Sequence, residues 1–244
     1  LKIIVLGNCT INGTLTMTAR GANHVPPDED LKIYDLENNI LATVPRIGSA
    51  GAPAMSTNGA GQVGGAGING GCGGGGGGGG YSFATYRGGG GLASCYSGGC
   101  GGGGYASGSA STRNNSMDGR DFGGRGGDGY YDYHNDTYYS RGGAGNPGGG
   151  EFYRNGNYIG AAPSGTGGLL ILIVYGNLII GSTGIISADG TSANGGSTYC
   201  LGGGGGSGGG SVNIFYKGIL TNSGTVRANG GLGTTPSYQS NTYI

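Results

Sequence analysis

The sequence predicts an all-β to irregular protein with essentially no α-helix. The expected architecture is a β-repeat platform, solenoid- or sandwich-like, carrying a bundle of packed polyglycine II helices with polar aromatic loops at their tips. Three observations predict it. Glycine recurs at 61, 64, 67, 70, 73, 76 and 79, with other residue types admitted only between those positions. Short apolar strand patterns recur towards both ends of the chain. Tyrosine, asparagine and arginine gather in the segments that interrupt the glycine.

An α-helix repeats every 3.6 residues and a strand every 2, whereas three residues per turn is the left-handed extended helix with no internal hydrogen bonds. The backbone groups of such a rod must bond to neighbours, and a face without Cβ lets those neighbours approach closely. Shorter stretches keep the rhythm: Gly48 and Gly51; Gly98, Gly101 and Gly104; Gly123, Gly126 and Gly129; Gly142, Gly145 and Gly148; Gly202, Gly205 and Gly208. They are read as rods of one bundle. With 67 glycines and 7 prolines among 244 residues, composition alone favours disorder. The apolar segments that bracket the glycine region argue for order. Order must then offset roughly 1–2 kcal/mol of backbone entropy per residue through dense backbone hydrogen bonding and close packing.

The first 47 residues read as a β-repeat and hairpin platform. Leu1 to Gly21 gives a strand, a Gly7-Asn8 turn, a second strand, an Asn12-Gly13 turn and a third strand alternating in period two. The pattern returns in Val174 to Gly190 and in Phe215 to Gly230. Each copy closes on apolar-x-Ala-x-Gly: Met17 to Gly21, Ile186 to Gly190 and Val226 to Gly230. Units so short cannot bury their own apolar face, so the copies are expected to stack and share a core. Leu31 to Leu36 and Ile40 to Val44, around Glu37-Asn38-Asn39, read as a hairpin edged by Pro26, Pro27 and Pro45, with a structural role. Residues 48–168 form the glycine bundle with its tip loops, and 169–244 the further β-repeats with another glycine rod at 202–210. The bundle is thus an insertion between the first and second repeats.

Eleven of the seventeen tyrosines fall between Tyr81 and Tyr158. Tyr, Ser, Gly, Asn and Arg are the alphabet of antibody contact loops, because tyrosine offers broad amphipathic area at little entropic cost. Two readings of any single tyrosine stay open: contact with a partner, or packing against the glycine lattice. For Tyr130, Tyr131, Tyr133, His134, Asp136, Tyr138 and Tyr139 binding is favoured, since five rings alternating with polar groups within ten residues cannot all turn inward. Tyr86, Arg113, Asn114, Tyr153 and Arg154 are candidates on neighbouring tips.

Other functions find little support. Net charge is zero with 10% charged residues, so no basic block exists to neutralise phosphates, and nucleic acid is not an expected partner. The longest apolar run, Leu169 to Tyr175, is far short of the ~20 residues of a membrane span. His24 and His134 sit in no metal-ligand or nucleophile-base spacing, so no enzyme, metal or cofactor is expected. Gly123 to Tyr131 matches one calcium-binding nonapeptide, with Asp128 as would-be ligand, but that motif works through tandem copies. Asn114 and Asn135 are formal glycosylation acceptors. Cys9, Cys72, Cys95, Cys100 and Cys200 form an odd set without C-x-x-C and are read as small space-fillers, a Cys95–Cys100 disulfide being the alternative. Both ends lie in β-like runs, which reads as part of a longer chain.

The period-three glycine joined by Tyr/Asn/Asp-rich tips, about Gly48 to Gly150, resembles the tail-fibre-tip adhesins of tailed bacteriophages and phage-like particles whose distal domain is a sandwich of polyglycine II helices. Gly165 to Asn177 (GTGGLLILIVYGN) and Ser211 to Gly218 (SVNIFYKG) resemble glycine-rich tail-fibre or surface proteins of such particles. The β-repeats depart from the simplest form of that adhesin. The resemblance implies a virion tail-fibre or extracellular location and a trimer within the fibre. It also implies that the variable loops bind a bacterial surface carbohydrate or surface protein. The alternative is a structural subunit of an extracellular glycine-rich filament or coat, and a weaker third reading is a fibre-borne hydrolase.

Overall fold

The computed structural model describes residues 1–21, 28–48, 84–87, 93–94, 105–107, 150–152, 158–161, 165–192 and 206–232. Among them there is no helix. The strands are β1 (Lys2–Val5), β2 (Cys9–Ile11), β3 (Thr14–Thr16), β4 (Leu31–Tyr34), β5 (Ile40–Val44), β6 (Ile47–Gly48), β7 (Ala84–Arg87), β8 (Ala93–Ser94), β9 (Tyr105–Ser107), β10 (Gly150–Phe152), β11 (Tyr158–Ala161), β12 (Leu169–Val174), β13 (Leu178–Ile180), β14 (Ile185–Ser187), β15 (Ser211–Tyr216), β16 (Leu220–Asn222) and β17 (Thr225–Arg227).

Each of the three repeats contributes one strand to each of three parallel sheets, ordered β1-β12-β15, β2-β13-β16 and β3-β14-β17. The second repeat is always in the middle. Its Val174 lies between Val5 and Tyr216, its Leu178 between Cys9 and Leu220, and its Ile186 between Leu15 and Val226. The three sheets surround one core of Leu170, Leu172, Val174, Leu178, Ile180 and Ile186, all drawn from that middle repeat. Ile3, Val5, Cys9, Ile11 and Leu15 cover the core from one side and Val212 and Ile214 from the other. Full burial of each such aliphatic side chain stabilises the fold by about 1.5–3 kcal/mol, which a three-strand unit alone cannot secure.

The second and third repeats align as their closing motifs suggest, but the first is displaced by two residues. Leu15, not Met17, stands beside Ile186, and Thr16 beside Ser187. Ala19, whose N–H reaches the Asp189 carbonyl (3.0 Å), therefore takes the place of Gly190, whose N–H reaches the Asn229 carbonyl (2.8 Å). Matching by the final glycine failed because the inward apolar residue, and not that glycine, sets the register.

The hairpin is present as β4 and β5, antiparallel, with Leu31 opposite Val44 and an irregularity between Ile33 and Tyr34. Asn38 turns it with φ 63°, which asparagine tolerates. Asp35 closes the turn, its Oδ1 accepting from the N–H groups of Glu37 (2.8 Å) and Asn39 (2.9 Å). Ile33 and Val44 pack on Ile171 and Ile173, so the first sheet is covered on its outer face too. That explains why β12 is apolar without alternation. The Leu36 N–H donates to Tyr175 Oη at 2.8 Å, pinning the turn to the sheet.

Shorter antiparallel pairs join β6 to β8, β7 to β9 and β10 to β11. All but β6, which begins at Ile47, lie within the span read as the glycine bundle.

Candidate functional site

Functionally, what matters is how the inserted segment leaves and re-enters the stack. Its two ends meet: the Gly168 N–H donates to the Met17 carbonyl (2.9 Å) and the Gly21 N–H to the Thr166 carbonyl (2.7 Å). Around this point four irregular segments and the Met17–Arg20 turn lie together. Residues 17–21, 188–191 and 228–231 leave the three repeats, while 165–168 and 206–210 lead into the second and third.

Their backbone bonding differs from that of a sheet. Within 206–210, Ser207 donates to the Thr191 carbonyl (2.9 Å) and accepts from Gly231 (2.7 Å), Gly208 accepts from Gly167 (3.0 Å), and Gly210 donates to the Ala188 carbonyl (2.7 Å). One segment thus bonds to three neighbours. Segment 188–191 does the same: Asp189 accepts from Ala19, Ala188 donates to Arg227, and Thr191 accepts from Ser207. A flat strand turns its polar groups to two sides only, so three-sided bonding requires the peptide planes to rotate along the chain. The close approach needs glycine. A Cβ at Gly167 would collide with the Ala188 carbonyl, and one at Gly231 with the Thr191 carbonyl. Residues 165–168 and 206–210 are buried, Thr166 and Ser207 completely.

Side chains fasten the three exits to one another. Buried Ser187 shares hydroxyl bonds with Thr16 (2.8 Å) and Thr18 (3.1 Å). The Asp189 N–H donates to Thr18 Oγ1 (3.1 Å), while its carboxylate accepts from Arg227 Nε (2.6 Å) and the Asn229 N–H (2.9 Å). Arg227 is about half exposed, so the ion pair itself contributes at most about 1 kcal/mol. Its greater effect is to fix the spacing of the second and third exits, Thr18 tying the first to Asp189.

Among the candidate binding residues, Tyr86 lies in β7, opposite Ala106 of β9. Tyr130, Tyr131, Tyr133, His134, Asp136, Tyr138, Tyr139, Arg113, Asn114, Tyr153 and Arg154 lie outside the described residues, as do Asp128 and the Cys95–Cys100 pair. Cys9 is a free, half-buried thiol whose residue stands beside Leu178. The sequence reading, which places residues 165–168 at the end of the glycine bundle, missed the Thr18–Asp189–Arg227 tie and the bonding of 228–231 to 206–210. The signal for the first was a small-polar residue beside the closing alanine in each repeat; the second follows only from long-range pairing. Comparison with known proteins gives no match: no family model, no curated protein and no solved structure.

Proposed function

We propose that this chain is the receptor-binding part of a phage or phage-like tail fibre. The three stacked repeats act as a β-solenoid platform, the inserted segment as a bundle of polyglycine II rods, and the Tyr/Asn/Asp-rich loops between rods as the surface that meets a bacterial glycan or surface protein. The observation that carries the reading is the three-sided backbone bonding of 206–210 and 188–191 at the root of the insertion. A polyglycine II rod needs that kind of bonding, because it has no internal hydrogen bonds of its own. The insertion, with both ends tied at its root, holds eleven of the seventeen tyrosines. Loops held at both ends lose less entropy on binding, and many fibres per particle multiply a weak affinity through effective concentration. This is a binding role and not a catalytic one.

The test is attachment of fluorescently labelled protein to a panel of intact bacteria, with and without soluble surface polysaccharide as competitor. Strain-selective binding is expected, and replacing Tyr130, Tyr131, Tyr133, Tyr138 and Tyr139 by serine abolishes it while the far-ultraviolet strand signal is unchanged. Absence of binding across a broad panel overturns the reading. Full binding by the five-serine variant overturns the loop assignment.

A further inference from the structure

Among the described residues, the third repeat leaves part of its inward face uncovered. In the middle repeat the inward residues Val174, Leu178 and Ile186 are wholly buried; their register partners Tyr216, Leu220 and Val226 are 39–44% exposed. Ile219, at the adjoining turn, is 71% exposed. The strands β15, β16 and β17 are also the edges of all three sheets, and β1, β2 and β3 are the opposite edges. Such edges leave a row of backbone groups unpaired by any strand of their own sheets.

What fits this end is given by the joints already inside the chain. The first repeat meets the second, and the second the third, through the same parallel register. The outer edge of the third repeat is therefore the same kind of surface that the first and second present to their followers. The outer edge of the first is the kind that the second and third present to their predecessors. We propose that the third repeat docks the first repeat of a second copy of this chain, head to tail, extending each sheet in parallel. The inward residues brought to it are Val5, Cys9, Ile11 and Leu15, which continue the aliphatic core. Charges do not clash: the column holding Arg227 holds Thr16 in the first repeat, and the column holding Lys2 holds Asn213 in the third.

One difference sets the strength of the joint. At each internal joint an asparagine side chain of the preceding repeat accepts from the next turn, Asn8 from the Asn177 N–H and Asn177 from the Ile219 N–H, both at 2.8 Å. Ile219 stands where the third repeat would need its asparagine, so the intermolecular joint lacks this bond. The contact is heterologous and does not close, so stacks are open-ended and depend on concentration. The proposal is independent of what the loops bind.

Sedimentation velocity of the full chain over a wide concentration range tests it. Expected are concentration-dependent stacks, their loss in Leu220→Lys, and association tightened about five-fold in Ile219→Asn, the effect of one added net hydrogen bond. Orientation is tested by mixing Thr10→Cys protein with Thr221→Cys protein, since both positions flank Ile179 in register. A mixed disulfide dimer is expected, above the background that the native cysteines give in unsubstituted protein. A Thr221→Cys homodimer signifies two third repeats face to face and overturns the proposal. A monomer at every concentration, unmoved by Ile219→Asn, overturns it equally and leaves the edge to be covered by other residues of its own chain.

Discussion

The Asn8 side chain accepts a hydrogen bond from the Asn177 backbone N–H at 2.8 Å, across 169 residues of sequence. Asn177 repeats the act towards Ile219. The glycine before each recipient lets the asparagine in: a Cβ on Gly176 would crowd Asn8 Oδ1, and one on Gly218 would meet Asn177 Oδ1. Asn177→Ala removes the acceptor of the Ile219 N–H at an exposed turn, where water substitutes in part. A loss of about 1 kcal/mol is expected, read as a lower denaturant midpoint with unchanged slope.

The close backbone contacts at glycine make a sharper prediction. At Gly231 and Gly167 an added methyl group meets backbone, which cannot rotate away. Gly231→Ala and Gly167→Ala are each expected to destabilise by about 2–3 kcal/mol. Gly13→Ala serves as the contrast. Nothing lies within 4 Å of its would-be Cβ, so this change is expected to be neutral or to stabilise by up to about 1 kcal/mol through the unfolded chain. Thermal unfolding of the three variants separates close packing from mere glycine content.

Ala19 occupies, at φ 57°, the position that Gly190 holds in the second repeat. The left-handed region costs a residue with a Cβ about 1–2 kcal/mol, whereas glycine enters it freely but adds unfolded-state entropy worth about 0.4–1 kcal/mol. Ala19→Gly is therefore expected to stabilise by about 0.5–1 kcal/mol, measured by chemical denaturation. A destabilised variant would show that the turn from Met17 to Arg20 is held by something other than its backbone conformation.

Ala19 also marks the limit of what the sequence made legible. Strand and turn positions in all three repeats, and the β4–β5 hairpin, followed from local period and turn residues. The register between repeats did not, because it is settled by inward packing of Leu15, Ile186 and Val226 over more than two hundred residues. The Gly7-Asn8 and Gly176-Asn177 pairs were legible as turns only. Their asparagines become inter-repeat acceptors once the parallel stack exists. At the root of the insertion, glycine period announced close packing, but the three-sided bonding of Ser207, Gly208 and Gly210 depends on partners as distant as Gly167 and Gly231.

The hairpin turn is expected to respond to acid. Hydrogen bonds from the Asn39 backbone and side chain, joined by the Glu37 N–H and the charge of Lys217, hold the Asp35 carboxyl below its ordinary value of 3.8. A depressed carboxylate contributes stability that is fully present above the unfolded value and is lost as pH falls through the folded one. The turn should thus be intact at neutral pH and loosen below about pH 3.8, where Asp35 takes a proton and its oxygens accept less strongly. Hydrogen exchange at the Glu37 and Asn39 amides reads this directly. In Asp35→Ala those amides exchange faster at neutral pH, and the difference from the unsubstituted protein shrinks as pH drops through that window. A difference that persists undiminished well below it would mean that the turn is held by the Leu36 bond to Tyr175 and the seat of Ile33 on the sheet, and not by the charge on Asp35.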